Sequence, residues 1–214
     1  MIQAAIFDLD GVIVSTDEQH YQAWKRMADE EDIYFDREIN HRLRGVARTD
    51  CVEIILERAD REYSDEEKAE LAARKNGYYR ELLTDLSPES LLPGAMVAMD
   101  ELKRRGVQVA VASSSKNTPY ILERIELSGY FDAVADGNDI THSKPHPEVF
   151  LIAAGRLGVP PGECLVVEDA KAGVEAALNA GMKCLGVGDA AKDERAQLTA
   201  PDLSAVTVEE LLGA

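Results

Sequence analysis

The 214-residue chain is short of cysteine, of positive charge and of long apolar runs, and each shortage closes off a class of function. Cys51, Cys164 and Cys184 are odd in number and show no CxxC spacing, which argues against a disulfide framework or a thiolate zinc site; they read as buried free thiols. No stretch approaches the roughly 18 uninterrupted apolar residues of a membrane span, and the first residues lack the basic and apolar regions of a signal peptide. The expected location is the cytoplasm. Lys and Arg number 23 against 40 Asp and Glu, a formal charge of -17 at pH 7. Such a field repels phosphate backbones and anionic lipid, so neither nucleic acid nor a membrane is expected as a partner. It also makes any phosphate site stand out. Internal repeats and low-complexity tracts are absent.

What is present is an ordinary globular composition, 45% hydrophobic and 29% charged, at a length for one domain or a domain with a modest insertion. Short apolar runs predict strands at 3–8, 107–112, 132–136, 164–168 and 183–187, several of them rich in valine. Helical patterns follow nearly all of them. Pro93-Gly94 opens one that Gly106 stops, Pro119 opens another that closes near Gly129, and a third runs from about Pro147 to Leu157 before Gly158. Repeated β-α units predict an α/β fold, a doubly wound parallel sheet with a Rossmann-like core.

One segment breaks the rhythm. Residues 16–84 hold no strand pattern, only helical ones at about Asp17–Asp29, Arg37–Arg44, Thr49–Arg61 and Ser64–Leu83, the last opened by the capping box Ser64 to Glu67. The expected organisation is a core of residues 1–15 and 85–214 with a helical cap, 16–84, inserted after the first strand. An insertion that leaves the carboxyl end of a strand is placed to act as a lid over the edge where open α/β sheets bind ligands.

The first strand ends on two carboxylates, Asp8 and Asp10, in the stretch Asp-Leu-Asp-Gly. Alone, that motif is equally a turn. The fourth strand, however, also ends on two acids, Glu168 and Asp169, at the same edge of a parallel sheet. Acids at this density repel one another unless a hard cation sits among them, and oxygen-only ligands suit Mg²⁺. Asp169 could instead be a helix N-cap. Ser113 ends the second strand in "ASSSKN", and Lys144 lies in "SKPHPE" before the fourth. A hydroxyl and a lysine at that edge are what a phosphoryl group needs, although a cap and a solvated loop residue are their plainer readings.

With DLDG at 8–11, Ser113, Lys144 before a proline, and ED at 168–169 in order along the chain, the sequence resembles the haloacid dehalogenase superfamily of phosphotransferases over its whole length. Further stretches, among them "LRGVAR" at 43–48, "ARKN" at 73–76, "SSSKN" at 113–117 and "VEDAKAG" at 167–173, resemble the β-phosphoglucomutases, the branch that interconverts β-glucose 1-phosphate and glucose 6-phosphate. Position and resemblance together assign Asp8 as nucleophile, forming an aspartyl phosphate. Asp10, two residues on and on the same side of an extended chain, is the expected general acid and base. Ser113 and Lys144 would hold the transferring phosphate. Asp8, Glu168, Asp169 and Asp10, the last through its carbonyl, would bind Mg²⁺.

The resemblance also implies a second anion site, from Arg48 in the insertion and Ser115, Lys116 and Asn117 in the core, for the phosphate not being transferred. His20, Lys75 and Gly45 fall at matching positions of the insertion. Trp24 is a candidate to approach the sugar, although an aromatic at helical spacing is more often cap core. The expected partner is a small-molecule sugar phosphate and the expected state a monomer. A sugar-phosphate phosphatase on the same scaffold is the alternative. A receiver-type phosphoacceptor shares the acids and the lysine but is far shorter and has no 70-residue insertion.

Overall fold

A computed structural model describes residues 1–44 and 46–213. It divides into two compact units, Thr16–Asp85 and the pair of segments Met1–Ser15 with Leu86–Ala214. No helix among the described residues is long and apolar enough to cross a membrane.

The smaller unit contains helices α1 (Asp17–Glu30), α2 (Arg37–Arg42), α3 (Arg48–Leu56) and α4 (Asp65–Leu82). Asp36 caps α2 by accepting the Ile39 N–H at 2.8 Å, and Ser64 and Glu67 form the expected capping box on α4. α3 stops at Leu56, short of the sequence expectation, as the chain tightens into turns with Arg58 N–H on the Ile55 carbonyl and Ala59 N–H on that of Leu56. Buried positions fall on one stripe of each long helix: Ala23, Trp24, Met27 and Ala28 on α1, and Leu71, Ala72, Lys75 and Tyr79 on α4. Of these, Trp24, Met27, Ala28, Leu71 and Ala72 join Ile33, Phe35, Ile39, Cys51, Val52 and Ile55 in this unit's own core.

The larger unit is built on a six-stranded, wholly parallel sheet: β1 (Ala4–Phe7), β2 (Gln108–Ala112), β3 (Ala133–Ala135), β4 (Cys164–Glu168), β5 (Lys183–Val187) and β6 (Leu198–Ala200), in the order β3-β2-β1-β4-β5-β6. Helices α5 (Ala95–Arg104), α6 (Thr118–Arg124), α7 (Glu148–Leu157), α8 (Lys171–Asn179) and α9 (Val208–Gly213) complete it. On one sheet face Ala4, Ile6, Ala110, Ala112, Cys164, Val166 and Cys184 pack against Val149, Phe150 and Ala153 of α7 and Val174 and Ala177 of α8. The period of two along each strand sets that face. All three cysteines are free and buried.

β6 was not expected: its three residues lack an apolar run, and only its parallel pairing with β5 makes it a strand. β3 is shorter than expected because aspartates bracket it; Asp132 accepts the Val109 N–H at 2.8 Å and Asp136 accepts the Asn138 N–H at 2.7 Å. The strand order reverses between β1 and β4, and open α/β sheets bind their ligands outside the carboxyl ends at such a reversal. Asp8 follows β1 there, and Glu168 ends β4.

Candidate active site

Lys144 ties that edge together. Its ammonium is buried, donates to Asp8 Oδ1 at 2.6 Å, to Glu168 Oε1 and, at 3.4 Å, to the carbonyl of Ala112 at the end of β2. Residues 136 and 24 positions away in sequence are thus joined through one cation. Burial pulls the Lys144 ammonium toward neutrality, but the charges of Asp8 and Glu168 outweigh it and hold its pKa above the usual lysine value.

The acids respond the other way. Burial and then the neighbouring charges of Glu168, Asp8 and Asp10 push the Asp169 carboxyl up to about 9. Glu168 is also raised, by burial first, against the pull of Lys144. One ligand oxygen each from Asp8, Glu168 and Asp169 lies within 4.8 Å of the others. A carboxyl group held neutral among other carboxylates is one whose ionised form a dication would stabilise, and an all-oxygen donor set of this kind fits a hard ion. Two glycines make room for these carboxylates: a Cβ on Gly11 would stand 2.2 Å from Asp169 Oδ2, and one on Gly173 1.9 Å from Glu168 Oε1. Gly11 also has φ of +80°. Sequence reasoning named neither glycine; the signal was present in DLDG and in the glycine that ends VEDAKAG.

Asp169 is not a helix cap. The N-cap of α8 is Ala170, and the amide of Ala170 is taken at 2.9 Å by Glu168 Oε2. Asp10 sits in the tight loop after β1, where Gly11 N–H bonds the Val14 carbonyl at 2.8 Å, close enough for its charge to act on Asp169. Ser113, buried just beyond β2, accepts the Ser115 N–H at 3.2 Å, and Ser115 Oγ accepts the Asn117 N–H at 3.1 Å. These nested turns set the loop of Ser115, Lys116 and Asn117 that leads into α6. Just before it, the Ser114 hydroxyl is buried with no hydrogen-bond partner.

The helical unit assembles its own polar cluster. His20 and Trp24 lie on α1, and Lys75 on α4. Lys75 Nζ donates to His20 Nδ1 at 2.8 Å and stands 4.6 Å from the Trp24 ring centre and 4.5 Å from that of Tyr79. The Tyr79 ring stacks on His20 at 4.1 Å, and its hydroxyl meets Thr16 Oγ1 at 2.8 Å. Burial, then the positive charges of Lys75 and Arg48, hold the His20 pKa well below the ordinary value of 6.5. The imidazole is therefore neutral at neutral pH. Arg48, the first residue of α3, is itself lowered by burial. Tyr79, on α4, is part of this cluster. Gly45 lies outside the described residues.

Residues 2–181 match the family model for haloacid dehalogenase-like hydrolases. The chain belongs to that family. Among members of the haloacid dehalogenase-like family, it is 42% identical to beta-phosphoglucomutase of Bacillus subtilis over 98% of this chain and 94% of that one. It is 31% identical to a phosphorylated carbohydrates phosphatase of Thermotoga maritima over 99% of this chain and 97% of that one. A crystal structure of beta-phosphoglucomutase from Clostridium difficile superposes with a TM-score of 0.93 at 35% identity, covering all of this chain and 96% of the other.

Proposed function

We propose that this chain catalyses the β-phosphoglucomutase reaction, interconverting β-D-glucose 1-phosphate and D-glucose 6-phosphate through an aspartyl phosphate and a β-glucose 1,6-bisphosphate intermediate. The observation that carries the reading is the 42% identity to the Bacillus protein across both units. The Lys144 cluster supports it, since it buries a carboxylate beside a fixed cation at the sheet's switch point.

In this reading an Asp8 oxygen attacks the phosphorus of the bisphosphate, the bond from phosphorus to the sugar oxygen breaks, and Asp10 gives that oxygen a proton. The hydroxyl of the other sugar phosphate then attacks the phosphorus, Asp10 takes its proton, and the bond to Asp8 breaks. Lys144 and Ser113 hold the phosphoryl group as it moves. Mg²⁺ is the proposed metal, held by Asp8, Glu168, Asp169 and the Asp10 carbonyl, and when bound it would neutralise charge on phosphate and carboxylates. Arg48, Ser115, Lys116 and Asn117 are proposed to grip the phosphate that stays behind, with His20, Lys75, Gly45 and Trp24 toward the sugar. The helical unit is the proposed cap that keeps water from the aspartyl phosphate. The proposed setting is the cytoplasm, with the chain acting as a monomer.

The test supplies β- and α-glucose 1-phosphate separately, with Mg²⁺ and a trace of glucose 1,6-bisphosphate, and follows glucose 6-phosphate against free phosphate. Only the β anomer should be consumed, with glucose 6-phosphate as product. The similarity to the Thermotoga phosphatase favours one rival, sugar-phosphate hydrolysis with water as acceptor. Free phosphate appearing as fast as substrate disappears would decide for it.

A further inference from the structure

The turn that buries Lys144 carries a second cluster on its exposed side. His142 and His146 flank Lys144 two residues away on either side, and Glu148 opens α7. One ligand atom from each of the three lies within 4.8 Å of the others. His142 Nδ1 is 3.2 Å from Glu148 Oε2 and His146 Nδ1 is 3.8 Å from the same oxygen, with the two rings 4.6 Å apart. Both imidazoles therefore turn the same ring nitrogen toward one carboxylate oxygen. Glu148 is already oriented, accepting the Thr141 N–H at 3.1 Å on Oε1 and the His142 N–H at 2.8 Å on Oε2. A ligand held in place by the backbone gives up little freedom when an ion arrives. The histidine side chains are 64% and 50% exposed, so an ion can enter from solvent and keep water on its open positions.

We propose that His142, His146 and Glu148 form a binding site for a divalent transition-metal ion of the Zn²⁺ class, separate from the carboxylates of Asp8, Glu168 and Asp169. Two imidazoles and one carboxylate make a mixed nitrogen and oxygen donor set, which suits Zn²⁺, Co²⁺ or Ni²⁺, whereas Mg²⁺ favours oxygen alone. With neutral imidazoles the set carries one negative charge, complementary to a dication. None of the three residues has a part in the proposed phosphoryl transfer. A bound ion would join both ends of the turn 142–148 and so fasten the segment that presents Lys144.

The test uses the full chain in saturating Mg²⁺, with Zn²⁺ added in competition with a chromophoric chelator. One Zn²⁺ per chain should bind; His142→Gln and His146→Gln should each weaken it at least tenfold, while Asp169→Asn should leave it unchanged. Replacing exposed histidines should not alter the melting temperature in chelator, which checks that each variant is folded. Co²⁺ offers a second readout, because its visible absorption should report imidazole ligation in the parent and lose it in the double variant. Absence of Zn²⁺ binding to the Mg²⁺-saturated parent would overturn the proposal, as would binding that survives in the double histidine variant.

Discussion

Among the described residues each unit buries one lysine, and the two are handled in opposite ways. Lys144 is clasped by the carboxylates of Asp8 and Glu168, while Lys75 lies against the rings of Trp24 and Tyr79 and the lone pair of His20. In the sheet unit, burial and like charge push a carboxyl, Asp169, toward its neutral form; in the helical unit, burial and neighbouring cations push an imidazole toward its neutral form. The buried cluster of the sheet unit therefore gathers negative charge, and the cluster around His20 gathers the positive charges of Lys75 and Arg48. That division is what a protein needs if it is to hold a cation at one place and a phosphorylated sugar at another.

The strongest way to test the first half of this contrast is Asp8→Asn, which keeps the shape of the cluster but removes the carboxylate. Turnover should fall to background and no base-labile phosphoprotein should form on mixing with glucose 1,6-bisphosphate. An active variant would remove Asp8 from the role of nucleophile. Next in size is Lys144→Met, which leaves Asp8 and Glu168 buried without their cation. Urea unfolding should show a loss of about 3 kcal/mol or more, and added Mg²⁺ should recover part of it.

Arg48→Ala tests the second half. If this arginine grips the stationary phosphate, conversion of β-glucose 1-phosphate should slow by roughly ten- to a hundredfold, matching the ~1.5–3 kcal/mol of a charge-assisted hydrogen bond. Phosphorylation of Asp8 by a small donor such as acetyl phosphate should persist. Arg48→Lys should recover only part of the loss, because an ammonium keeps the charge but not the planar fork. Undiminished turnover in Arg48→Ala would leave the cations around His20 without their proposed use.

The smallest expected effect is a pair of opposed pH slopes. Asp169 has an ordinary pKa of 3.8 and a folded value of about 9, so between those limits the folded chain keeps a proton that the unfolded chain has lost. Without metal, stability of the sheet unit should fall as pH rises through that window, and Mg²⁺ should flatten the slope. His20 has the opposite sign: below pH 6.5 the unfolded chain takes up a proton that the folded imidazole refuses, so the helical unit should weaken as pH falls. Hydrogen exchange read separately on peptides of α1 and β4 should show the two slopes, and His20→Gln should abolish only that of α1. Parallel slopes in the two units would break the contrast.

The sheet was largely legible in the sequence because buried parallel strands are short, continuous apolar runs, and "VQVAVA" and "CLVVE" are hard to read otherwise. The capping box at Ser64 was legible for a local reason too, since both of its hydrogen bonds span three residues. β6 was not, because Leu198–Ala200 owes its conformation to β5. Asp8, Lys144, Glu168 and Asp169 could be nominated from motif order. That Asp169 is not the helix cap needed the coordinates, where Ala170 is the N-cap of α8 and its amide goes to Glu168.

By itself the sequence determined the alternation of strands and helices, the interruption by a helical insertion, and the kinds of functional group at the strand ends. These depend on neighbours within a few positions, whose periodicity and capping are written along the chain. Only the tertiary structure decided that one ammonium spans Asp8 and Glu168, that side chains at Gly11 and Gly173 would strike the carboxylates of Asp169 and Glu168, and that Asp169 and His20 are driven toward neutrality by burial first and then by nearby anions and cations respectively. Desolvation and Coulomb interaction act through space, and the partners that exert them here lie as far as 161 positions apart, from Asp8 to Asp169.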